Sequence, residues 1–213
     1  MRLTPGQCPS QRRTYEADSW FDPEFVIGPP ALRGLRIVSM SDLRYPIGKW
    51  GREPVTSDAQ RRTLLDQIAA EPANLRAAVT GLSETQLDTH YRPGGWSVRQ
   101  VVHHVPDSHM NAFIRFKLAL TEDEPLIKTY EEQKWAELPD VKQTPVETSL
   151  ALLERLHERW VRLMRATPAE LYARRFRHPE IGPMTLDDLI SMYSWHGRHH
   201  TAHITSLRER MGW

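Results

Sequence analysis

Apolar residues recur every three or four positions in four long stretches of the chain, which predicts four helices. The first follows a candidate N-cap at Ser57 and carries Leu64, Leu65, Ile68 and Ala69. Pro72 then sits where a helix restarts, and Leu75, Ala78, Val79 and Leu82 continue the period. Ser97 caps the second, from Val98 to about Leu120, with Val101, Val102, Val105, Phe113 and Phe116 as its apolar positions. Pro106 lies inside it and is expected to kink it, freeing a carbonyl one turn earlier. Thr148 or Ser149 opens the third, where Leu150, Leu153, Leu156, Trp160 and Leu163 repeat. Thr185 caps the last, with Asp187 and Asp188 suited to the helix dipole and a stripe of Leu186, Leu189, Ile190, Tyr193, Ile204, Leu207 and Met211.

Shorter pieces connect them. Ser83-Glu-Thr-Gln86 reads as a capping box, Arg92-Pro-Gly-Gly-Trp96 as a tight loop, and Glu131–Trp135 as a short helix in an acidic, aromatic loop. Pro168–Leu171 suggests one more turn, and Phe176–Pro183 an extended or turned segment. No stretch alternates persuasively as a strand does, so the fold class is all-α, a four-helix bundle with short extra helices. Residues 1–39 contrast with this. They are proline-rich and aperiodic and read as an irregular N-terminal extension, with Met40 as an alternative start and residues 40–213 as the compact domain.

The chain's 213 residues suffice for one sizeable core. With 28 Lys plus Arg against 27 Asp plus Glu, charge gives no case for nucleic acid or an anionic membrane as partner. A single cysteine, Cys8, excludes an internal disulfide and a cysteine-rich zinc site. No apolar run spans a bilayer and the N-terminus lacks a signal-peptide core, so a cytoplasmic protein is expected.

The chemistry concentrates in the last helix. Four of the ten histidines fall there as two i,i+4 pairs, His196/His200 and His199/His203. Side chains at that spacing share a helix face, and two imidazoles so placed can grip one metal ion. Counted at ~100° per residue, His200 lies ~25° and His196 ~65° from the centre of the apolar stripe. His203, at ~85°, and His199, at ~120°, turn toward the rim or solvent. A buried histidine needs a partner for both ring nitrogens, so His196 and His200 are either metal ligands or hydrogen-bonded core histidines.

An open catalytic site needs a third protein ligand. Val101-Val-His103-His104-Val-Pro-Asp107-Ser-His109 on the second helix offers three histidines. On an unbroken helix His109 faces inward at ~25°, with His104 at ~115° and His103 at ~145°, and the kink at Pro106 breaks that count. Spacing alone leaves the choice open.

The run from Tyr91-Arg-Pro-Gly-Gly-Trp96 through His103-His104, then Asp107-Ser-His-Met-Asn111 and Arg115-Phe-Lys, resembles the YfiT-like metal-dependent hydrolases. Those belong to the DinB-like superfamily of four-helix metalloproteins, which includes the bacillithiol S-transferases. Tyr45-Pro-Ile-Gly48, Trp195-His196, His199-His200, Ala202-His-Ile204 and Arg210-Met-Gly-Trp213 extend the likeness, which covers about residues 43–213. The resemblance implies metal ligands at His104, His196 and His200, one divalent ion per chain (zinc first, nickel as the alternative) and a homodimer. Pro106 departs from the family pattern, in which a small helix former is expected there.

Three imidazoles leave the ion's charge undiminished, so a bound water is acidified toward pKa ~7, which is the hydrolase reading. The same position could hold a low-molecular-weight thiol as thiolate, the transferase reading, or serve a metal-binding stress protein without turnover. A small-molecule substrate is expected in the first two cases. Asp107 is a candidate base, Tyr193, Trp96 and Trp195 are read mainly as packing residues, and Arg99 and Arg115 mainly as solvated surface.

Overall fold

A computed structural model describes residues 42–213; the N-terminal extension and Cys8 lie outside the described residues. Four long helices make the frame: α1 (Asp58–Val79), α3 (Val98–Thr121), α6 (Val146–Ala166) and α7 (Leu186–Met211). Between them stand α2 (Glu84–Leu87), α4 (Glu132–Trp135), α5 (Pro139–Gln143) and a 3-10 turn, Ala169–Ala173. Each long helix packs on two others, α1 on α6 and α7, and α3 on the same pair, which closes a four-helix ring.

The caps follow the sequence. Ser57 Oγ accepts from the Gln60 N–H, and reciprocal capping boxes form at Ser83/Gln86, Ser97/Gln100 and Thr185/Asp188. Gly212, at φ +70°, ends α7 in the left-handed conformation that glycine adopts without penalty. Three expectations change. The helix does not restart at Pro72; α1 runs through it, as α3 runs through Pro106. The third long helix begins at Val146, and its buried stripe is Leu150, Leu153, His157, Trp160 and Met164, one position on from Leu156 and Leu163. Segment 175–185 is a hairpin of β1 (Arg175–His178) and β2 (Gly182–Thr185), pairing Phe176 with Met184. Each four-residue strand buries one side chain, too few for alternation to show in sequence.

The apolar core has two parts. One gathers Trp160, Phe116, Tyr172, Phe176, Leu189 and Ile190. The other gathers Leu75, Val101, Val102, Leu153, Ile204 and Leu207. Along every long helix the two are separated at one level by polar or helix-breaking residues. These are Glu71 and Pro72 on α1, Ser108 and His109 on α3, His157 on α6, and His196 to His203 on α7. The bundle is thus built around a buried polar layer.

Glu71 shows the strain of that layer. It is 1 % exposed, and its Oε1 accepts from Thr201 Oγ1 at 2.8 Å. Gly197 lets it approach α7, since a Cβ there would sit 2.5 Å from Glu71 Cγ and Cδ. Burial pushes its carboxyl up from the ordinary 4.5 to about 7, against the pull of Thr201 and Arg198. The folded state therefore holds this proton across a window where the unfolded chain releases it. Stability falls as pH rises through that window, by on the order of 3 kcal/mol from this one group. Urea unfolding at pH 5 and pH 8 should show Glu71→Gln less pH-sensitive than the parent by most of that amount. Equal pH dependence in the two proteins would mean that Glu71 is ionised in the fold.

Candidate metal centre

Within the polar layer, α3 contributes His104, and α7 contributes His196 and His200 from successive turns. One ring nitrogen of each lies within 4.8 Å of the others, and all three side chains are buried. Ring centroids stand 4.6 Å apart for His196/His200, 4.8 Å for His104/His200 and 5.5 Å for His104/His196. Burial pushes His104 down to about 3; burial and neighbouring histidines hold His196 and His200 well below the usual 6.5. The rings are therefore neutral at physiological pH, the form that offers a lone pair to a metal.

The surroundings are aromatic and hydroxylic. The Trp96 ring lies 4.5 Å from that of His104 and stacks at 6.2 Å on His200, its indole N–H donating to Gln133 Oε1. Ser108, one turn after His104, brings its Oγ to 3.3 Å from both His196 Nε2 and the Tyr193 hydroxyl. The Tyr130 phenol, in the loop before α4, has its pKa pushed up by burial, against a smaller opposing pull from Ser108. Ser108 and Tyr130 had no place in the sequence reading. The signal for Ser108 was its i,i+4 relation to His104; Tyr130 had none, being in a loop.

The other α3 histidines face elsewhere. His103 turns to Ser149 Oγ at 2.7 Å. His109, fully buried as the helix count expected, joins His157 at 2.7 Å and His196 at 3.1 Å. Asp107 follows His103 by one turn; burial and the nearby Asp140 carboxylate push it up to about 6.

Two placements correct the sequence reading. His199 and His203 do not face solvent; they are 2 % and 3 % exposed. The helix count omitted the segment before α1, which covers that side. The His203 Nε2 lies 3.0 Å from Arg44 O, the Trp195 indole donates to Gly48 O, and Trp195 stacks on His199 at 4.3 Å. Arg99 and Arg115 are buried rather than solvated. Arg99 is bound by Glu84 and Asp88, and Arg115 donates to Lys128 O.

Comparison with known proteins agrees with the four-helix fold. A family model described as the DinB superfamily matches residues 67–204. A Bacillus cereus protein named "Putative metal-dependent hydrolase" is 55 % identical over 174 residues, 82 % of this chain and all of its own. A Bacillus anthracis protein of the same description is 54 % identical over the same coverage. Among solved structures, YfiT from Bacillus subtilis superposes with a TM-score of 0.78 at 47 % identity, over 80 % of this chain and 98 % of its own. That protein is described as "a probable metal-dependent hydrolase with an unusual four-helix bundle topology".

Proposed function

The chain belongs to the DinB superfamily, and from that premise we propose that it is a metal-dependent hydrolase acting on a small molecule. The observation that carries the proposal is the convergence of His104, His196 and His200. As a donor set they fit a divalent ion, since three neutral imidazoles suit zinc first and nickel second, and they leave a coordination position open. When bound, such an ion lowers the pKa of a coordinated water toward ~7 and polarises an oxygen of the substrate.

The chain's own residues supply the rest. Ser108 presents a hydroxyl beside His196, with the Tyr193 hydroxyl next to it, that can hold a substrate oxygen. Trp96 forms an apolar wall over His104 and His200 and limits water.

The test is turnover by the zinc-loaded full chain on simple ester, amide and phosphoester substrates. Hydrolysis without added thiol is expected, rising with pH through an ionisation near ~7 and lost in His200→Ala. Turnover only with an added thiol, together with sulfur-to-metal charge-transfer absorption in the cobalt-substituted protein, would make it a thiol transferase. Silence in both assays with the metal fully loaded would make it a binding protein.

A further inference from the structure

Pro72 lies inside α1 and has no N–H to give the carbonyl four residues back, which is that of Ile68. A buried carbonyl without its helical partner needs another donor. The His157 Nδ1, from α6, meets Ile68 O at 2.8 Å. A carbonyl oxygen can only accept, so His157 carries a proton on Nδ1; the ring is 2 % exposed and burial holds its pKa down to about 4, so it is neutral and its Nε2 carries the lone pair.

The consequence passes along the layer. His157 Nε2 stands 2.7 Å from His109 Nδ1, so His109 must donate from Nδ1. His109 is 0 % exposed, and its contacts are imidazoles, Trp160 and Tyr193, with no carboxylate among them. A cation there would be buried without a counter-charge, so the ring is neutral and its Nε2 accepts. The atom at that Nε2 is His196 Nδ1, at 3.1 Å. His196 must therefore carry its proton on Nδ1 and keep a lone pair on Nε2, the atom beside Ser108 Oγ.

We propose that His157 and His109 are positioning residues that transmit the acceptor character of Ile68 O to His196 and lock it in the Nδ1–H tautomer, with Nε2 presented to the metal. The proposal rests on the reading of His196 as a ligand. Three histidines in one hydrogen-bonded row take one proton pattern as a unit, because reversing any ring sets two N–H groups or two lone pairs face to face. Ligand histidines are commonly oriented by a carboxylate or carbonyl on the far nitrogen. Here the carbonyl is two rings away, and Pro72 is what leaves it available.

The test begins with nitrogen-15 NMR of the imidazoles in the full-length, metal-free protein. His157, His109 and His196 are all expected as Nδ1–H tautomers, whereas an unconstrained imidazole in water favours Nε2–H. His157→Leu removes the acceptor facing His109 Nδ1, so His109 and His196 should shift toward Nε2–H. Zinc affinity should then fall roughly 10- to 100-fold. His157→Gln can give its amide N–H to Ile68 O and its oxygen to His109, and should restore both readouts. His196 found as Nε2–H in the unmutated protein overturns the proposal, even if His157→Leu fails to fold. If His196 is Nδ1–H but no zinc binds, the relay stands and the metal reading fails. If zinc binds and His196 is Nε2–H, the metal reading stands and the relay fails.

Discussion

Single replacement of His104, His196 or His200 by alanine is expected to strip the purified protein of metal, measured by plasma emission spectroscopy after gel filtration. Structural zinc sites bind with ~10–16 kcal/mol shared among four ligands, so one lost ligand removes about 3 kcal/mol, or roughly 100-fold in affinity. His199→Ala leaves the three converging nitrogens in place and should keep the metal; the His199 ring packs on Trp195, Tyr45 and His203 and stands outside the converging set. The variants should remain folded, because each ring lies between two apolar clusters that do not depend on it. Loss of metal in His199→Ala with retention in His196→Ala would show that the α7 pair is the other one. Retention in His104→Ala with loss in His103→Ala would move the α3 ligand to the face of Ser149.

Why some of this was legible and some was not follows from what periodicity encodes. A 3.6-residue period records which face of a helix is buried, so the four long helices, the caps at Ser57, Ser97 and Thr185, and the inward turn of His200 and His109 could be read directly. It carries no record of irregular backbone packing on the far side. Arg44, Tyr45 and Gly48 cover His199 and His203, so two histidines counted as facing the rim are enclosed. His104 is the converse. Its nominal angle puts it past the rim, yet α7 and Trp96 approach from that side and bury it. Only the likeness to a family pointed to it. His157 was legible and overlooked: it stands four residues after Leu153 and three before Trp160, on the stripe those residues define. The same holds for Pro72, read as a boundary when its consequence is a carbonyl released into the core.

Trp160→Ala is expected to destabilise the protein by ~3–5 kcal/mol, the range for truncating a fully buried large aromatic. The ring is 0 % exposed, and its neighbours His157, Tyr193, His109 and Phe113 stand 5.8–6.5 Å away between centroids. For a domain of this size that corresponds to a fall of about 10 °C in Tm. Trp160→Phe separates size from polarity. Among the described residues Trp160 Nε1 has no hydrogen-bond partner, and leaving a buried N–H unpaired costs ~1–3 kcal/mol. Phenylalanine gives up some packing but removes that cost, so its net effect should stay under ~1.5 kcal/mol. The two variants should also differ at the metal centre. Trp160 meets His109 and His157 edge-on, at 89° and 85°, and so fixes the planes of the two rings that orient His196. Alanine frees those planes and should weaken zinc binding as well as stability, while phenylalanine should preserve both. A Trp160→Ala protein with lowered Tm and unchanged zinc affinity would confine Trp160 to the apolar core and uncouple it from the histidine layer.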